Sequence, residues 1–182
     1  MDYYSFFIFS FIPAYAEDAA VKLYPKNPIE NEAFGFLVDS FDQYLAVSTL
    51  KKMVYIFKYK NGDWNQIDEI SPPDDSYNVS KFGTSLSIYE TIIAIGGGIY
   101  TNGNYRQCIF LYKIQNDSCQ LGNVIILSDP NISGNYKVSI ELNQNQLIIG
   151  LASEDDYIGW TSGFAYIYKC ENGHPSYPLK SS

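Results

Sequence analysis

Two runs of carboxylates carry the densest chemistry in the sequence, Asp74-Asp75 and Glu154-Asp155-Asp156. Paired carboxylates can serve as acid and nucleophile on a glycosidic bond, or share a hard cation. Pro72-Pro73 precedes the first run and Gly159 follows the second. Those flanks are as well suited to a solvated loop with no ligand. The second run has the richer company, Tyr157 and Trp160, and a comparable stretch earlier in the chain holds Tyr100, Asn102, Asn104, Tyr105 and Arg106. Rings mixed with amide and guanidinium groups make adaptable contact surfaces. Covering the ends of strands would use the same rings, and both readings stay open. The candidate ligand-binding residues are therefore Tyr100, Asn102, Tyr105, Arg106, Glu154, Asp155, Asp156, Tyr157 and Trp160.

Catalytic apparatus is otherwise hard to find. The single histidine, His174, lies in a proline-flanked tail, without the orienting partner and packed setting that acid–base work needs. No serine sits in a Gly-x-Ser-x-Gly turn, and Gly96-Gly97-Gly98 lacks the Lys-Ser/Thr that completes a phosphate loop. The sequence reads as a non-enzyme without metal or cofactor. A hydrolase using the loop carboxylates is the rival from another class. Cys108, Cys119 and Cys170 show no zinc spacing, and their odd number leaves at least one thiol unpaired. Cys119 could pair with either of the others. A net charge of −8 with no basic stripe argues against a nucleic-acid partner.

These residues hang on a repeat. Phe34-Gly35 aligns with Phe82-Gly83 at an offset of 48 residues, and Tyr136-Lys137 follows at a further 54. The same offsets align Leu45-Ala46-Val47-Ser48, Ile93-Ala94-Ile95-Gly96 and Leu147-Ile148-Ile149-Gly150 without gaps. Each copy then reaches an aromatic run: Val54-Tyr55-Ile56-Phe57, Ile109-Phe110-Leu111-Tyr112, Ala165-Tyr166-Ile167-Tyr168. Alternating apolar residues, tight turns such as Asn61-Gly62, and a fourth run at 64–70 and 121–127 spell four short antiparallel strands per copy. A period near 50 residues with four strands is that of propeller blades. The expected fold class is all-β, a partial β-propeller of about three four-stranded antiparallel blades.

The residues that define the repeat resemble the FG-GAP family, the blades of integrin-α-type β-propellers. The matching elements are the two Phe-Gly pairs, the Leu45-Ala46-Val47-Ser48 strand, and Val54-Tyr55-Ile56-Phe57 followed by Asn61-Gly62-Asp63-Trp64. The resemblance spans roughly residues 34–169, in repeats at about 34–70, 82–127 and 136–169. Tyr136-Lys137 departs from Phe-Gly, and no copy has the Ala-Pro that usually ends the second strand. The resemblance implies adhesion or ligand binding, with protein or glycan partners. Members that bind calcium carry Asp-x-Asp-x-Asp-Gly between the first two strands. Here those turns are Asp39-Ser40-Phe41-Asp42, Tyr89-Glu90-Thr91 and Asn143-Gln144-Asn145, too short and too poor in carboxylates for the ion.

The ends read differently. Tyr3 to Ile12 is almost wholly apolar and Ala14-Tyr15-Ala16 is a small-x-small site, so residues 1–16 are expected to be a signal peptide and residues 17–170 the repeat domain. Asn78, Asn116 and Asn131 stand in glycosylation sequons, in keeping with secretion. Ala20 to Tyr24 reads as a strand, and the polar tail 171–182, with Pro175 and Pro178, as unstructured. The tally of strands then leaves the third blade one short, so self-association is expected to complete it, Ala20 to Tyr24 of one copy pairing with the third blade of another. The expected role is a secreted or cell-surface recognition module that binds through its blade loops. A structural fragment of a longer propeller is the alternative.

Overall fold

A computed structural model describes residues 21–73, 78–101, 103–127, 136–153, 163–171 and 174–178. Every regular element among them is a strand, and the strands form three four-stranded antiparallel sheets in strictly sequential order. The first holds β1 (Val38–Phe41), β2 (Tyr44–Ser48), β3 (Val54–Lys60) and β4 (Asp63–Ile70). The second holds β5 (Val79–Tyr89), β6 (Ile92–Thr101), β7 (Asn104–Gln115) and β8 (Ser118–Ile126). The third holds β9 (Tyr136–Leu142), β10 (Gln146–Ser153), β11 (Phe164–Glu171) and β12 (His174–Pro178). The first strands lie together, β1 beside β5 and β5 beside β9, and the sheets pack face on face. This is a partial β-propeller of three blades.

Local chemistry sets the hairpins. Asn61 and Gly62 join β3 to β4 with φ of 57° and 87°, and Asn116 and Asp117 join β7 to β8 with φ of 52° and 59°. Both are two-residue turns of the primed kind, whose twist matches that of paired strands. Along each strand the side chains alternate between the two faces of the blade. The face turned toward the preceding blade carries the large residues: Ile93, Ile95, Phe110 and Tyr112 in the second blade, and Leu147 and Ile149 with Tyr166 and Tyr168 in the third. The face turned toward the following blade carries smaller ones, Ala46, Val54 and Ile56 in the first and Ala94, Ile109 and Leu111 in the second. Each fully buried large side chain contributes about 1.5–3 kcal/mol.

Three expectations change at the ends. Residues 174–178, within the tail expected to be unstructured, form β12, which pairs with β11, so the third blade has its own fourth strand. Val21 to Tyr24 form no strand; Leu23 instead packs on Val47, Tyr55 and Phe57, the outer face of the first blade. An exchanged strand therefore has no vacancy to fill. Third, Phe34 and Gly35 precede β1, whereas Phe82 and Gly83 lie inside β5. Positive φ at Asn31, Ala33 and Gly35 takes the chain out of extended geometry before β1, while β5 absorbs Gly83 (φ 77°) in a bulge between Phe82 and Ser85. Residues 1–20, with the expected signal peptide, lie outside the described residues.

Candidate functional site

The end of the blades where β6 turns into β7 gathers three of the candidate residues. Register places Tyr100 opposite Tyr105 and Ile99 opposite Arg106. The two tyrosine rings meet edge to face, centroids 5.5 Å apart at 66°. The hydroxyl end of Tyr105 lies over Gly98, where any β-carbon would collide with it. That close approach accounts for a glycine in mid-strand. Lys81 Nζ stands 5.7 Å from the Tyr105 centroid, a cation–π contact, and the Tyr105 hydroxyl donates to Gln107 Oε1 at 3.5 Å. Burial, with the nearby Cys108 thiol, raises the Tyr105 pKa above the ordinary phenol value. Tyr105 is thus a fixed, neutral platform, and Tyr100, 47 % exposed, is the ring it presents to solvent. Arg106, opposite Ile99, falls on the other face of the sheet and is half-buried there.

The platform is joined to the third blade. Gln107, 2 % exposed, donates from Nε2 to the Tyr136 carbonyl at 3.0 Å, and its own carbonyl accepts from Leu127 N at 2.9 Å. Tyr136 pairs with Ser153, the last residue of β10, so the β10 end adjoins the β6–β7 end. Asn102, Glu154, Asp155, Asp156, Tyr157 and Trp160 lie outside the described residues, as do Asp74, Asp75 and Asn131. Asn78 and Asn116 are exposed on turns with positive φ.

Sequence reasoning missed two features. The first is a cleft of about 50 Å³ at the opposite end, between the second and third blades, lined by Tyr89, Ile92, Leu111, Leu142, Asn143 and Cys170 among others. No local signature announces it, because it forms from three turns far apart in the chain. The second is the role of Asp39. Read as a turn residue, it is a pin between blades: its Oδ2 accepts from Ile88 N at 2.8 Å. Ser87 repeats the device, its Oγ accepting from Leu142 N at 3.0 Å. The repeat offsets of 48 and 54 carry Asp39 onto Ser87, and Ile88 onto Leu142 is again 54. A polar residue at a shared repeat position was the available signal. Farther out, Asp68 accepts from Cys119 N at 2.6 Å, and Lys58 pairs with Asp117 at 2.6 Å.

The three cysteines are free. Cys119 stands opposite Ile114, six residues along β7 from Cys108. That is about 20 Å of strand, far beyond disulfide reach. Burial raises all three thiols, Cys108 and Cys119 to about 12, with Asp68 adding to the effect at Cys119. They are protonated and poor nucleophiles at neutral pH. Among the described residues no three metal-ligating side chains cluster.

No family model matches the chain, and no curated protein matches it. Among solved structures, the N-terminal domain of Nup159 is similar at 10 % identity and a TM-score of 0.27, over 76 % of this chain and 46 % of that one. The chain spans less than half of that domain, and so loose a superposition bears on neither fold nor role.

Proposed function

We propose that the chain is a recognition module of the FG-GAP kind, secreted or at the cell surface, that binds a protein or glycan through the β6–β7 end of its blades and catalyses nothing. The observation that carries this reading is the solvent-facing Tyr100, set edge to face on an immobilised Tyr105. A rigid aromatic edge offers contact area at small entropic cost, the quality that marks binding hot spots, and Arg106 stands at the same end of the strands on their other face. Glu154 to Asp156, Tyr157 and Trp160, which follow β10 in the sequence, are the further contact residues of this reading. The apolar run at 3–12 and the sequons at Asn78, Asn116 and Asn131 support export.

The test uses the chain expressed in a eukaryotic secretory host, with arrayed glycans and immobilised extracellular-matrix proteins as probes. Export should remove residues 1–16. Retention on a probe should fall about tenfold with Tyr100→Ser and with Arg106→Ala, at unchanged thermal unfolding. A retained Met1 overturns the extracellular reading, and binding indifferent to both substitutions overturns the site.

A second reading, that these blades are a structural fragment of a larger propeller, is favoured by one observation: among the described residues no blade lies against the third blade's far face, and Ile167 there is 41 % exposed.

A further inference from the structure

The contact between blades follows the repeat, and both ends of the stack keep their halves of it. At the junction of the second and third blades, Gly96 is a hollow. A β-carbon there would collide with Ser85, its partner across the strands, and would lie 3.2 Å from Ile140 Cδ1 of the third blade. Ile140 is the knob that fills this position. Beside it, Ser87 accepts the backbone N–H of Leu142. One junction earlier, Asp39 accepts the N–H of Ile88 in the same way.

Advancing that set by one repeat gives the open face of the third blade. Ser85 and Gly96 become Ser139 and Gly150, again paired across the strands. Ser87 becomes Glu141, exposed on β9. The small apolar face continues in Ile148, Ala165 and Ile167, the counterparts of Ala46, Val54 and Ile56, all three of which are fully buried between blades. Hollow, acceptor and apolar strip are present, and no described residue covers them.

Moving the knob and its N–H back by two repeats, past Leu86 and Ile88 of the second blade, gives the exposed side of the first blade. Ile140 becomes Val38, 59 % exposed on β1. Leu142 becomes Ser40, whose N–H, among the described residues, is held by the neighbouring Asp39 Oδ1, at 2.9 Å in an exposed setting. Leu23 covers the aromatic half of this blade face, over Tyr55 and Phe57, but leaves Val38 bare.

We infer that a second copy of this chain docks head to tail, its Val38 entering the Gly150 hollow and its Ser40 N–H meeting the Glu141 carboxylate. Along β1 and β9 the contact repeats one already built twice within each chain; over Tyr55 and Phe57 it meets Leu23 instead. A heterologous contact that closes after one rotation yields a two-fold ring. Two chains then supply six blades, inside the range of roughly four to eight over which propellers close. No strand is exchanged, since each third blade is complete.

The experiment is sedimentation equilibrium on the full chain at micromolar concentration. The expected species has twice the 20.6 kDa chain mass. Ile167→Lys and Val38→Lys, on opposite faces, should each weaken association roughly thirtyfold or more per interface. Both positions are exposed in the single chain, so circular dichroism and thermal unfolding of the monomer should not change. As an independent readout, the Ser40→Cys/Glu141→Cys double variant should form a dimer that resists sodium dodecyl sulfate until reduced, while neither single variant does. A monomer at every concentration overturns the proposal. So does a dimer lost with Ile167→Lys but indifferent to Val38→Lys, which would join two third blades. So does a monomer whose third-blade amides near Gly150 are shielded from hydrogen exchange until residues 1–20 are removed, which would mean that this chain's own N-terminal run fills the face.

Discussion

The ring of Phe82 lies 5.3 Å from that of Phe110, tilted by 58°. Phe34 stands 5.7 Å from Tyr55 in the equivalent place one blade earlier. The first aromatic of each repeat thus clamps the third strand of its own blade. Phe82 is 2 % exposed and Phe110 is fully buried. Phe82→Ala should therefore cost about 3–5 kcal/mol, since packed neighbours cannot collapse into the space. Urea titration by tyrosine and tryptophan fluorescence measures it. Phe34, half-buried and ahead of β1, should cost less when cut to alanine.

Asp39 and Ser87 do the same work at successive junctions, and their removal should be separable. Asp39→Ala strips the acceptor from Ile88 N, and Ser87→Ala strips it from Leu142 N. An inward-facing donor left alone costs about 1–3 kcal/mol. Hydrogen exchange should speed up at Ile88 in the first variant and at Leu142 in the second, each leaving the other amide slow. Equal effects at both amides would mean global loosening instead of local pins.

Alkali should weaken the fold before acid-range chemistry does anything comparable at these groups. Burial first, with smaller electrostatic contributions, raises the Tyr112 hydroxyl from 10.0 to about 12, and the Cys108 and Cys119 thiols from 9.0 to about 12. Below the unfolded values all three groups are protonated in both states, so their contribution is complete there. As the pH climbs from 9 toward about 12 the unfolded chain releases protons that the folded chain retains, and stability drains away. The urea midpoint should fall steadily from about pH 9 to about pH 11. Cys108→Ala should make that fall shallower.

What was legible in the sequence was what depends on neighbours along the chain. Alternation in Leu147 to Ile149 and the Asn61-Gly62 turn specify strand and hairpin locally, and the offsets of 48 and 54 hold in space down to single hydrogen bonds. β12 was hidden because Pro175 and Pro178 lack the N–H that a ladder uses. Both are tolerated there because β12 is an edge strand. The Tyr100–Tyr105 pair could be guessed as a surface, but its rigidity could not, since that comes from Gly98 and Lys81 on other parts of the sheet. The cleft beside Leu111 and Cys170 was illegible, because its walls meet only when two blades pack.

The sequential order of all three sheets has a consequence for synthesis. Every strand pairs with the strand made just before or just after it, and each blade leans only on its neighbour. No early segment must wait for a late one, so little loop-closure entropy is spent in bringing distant parts together. The first blade can pack Tyr55 against Glu32 and Leu23 while the third is still being translated. A ribosome-bound chain halted after Leu127 and clear of the exit tunnel should already resist protease across β1 to β4.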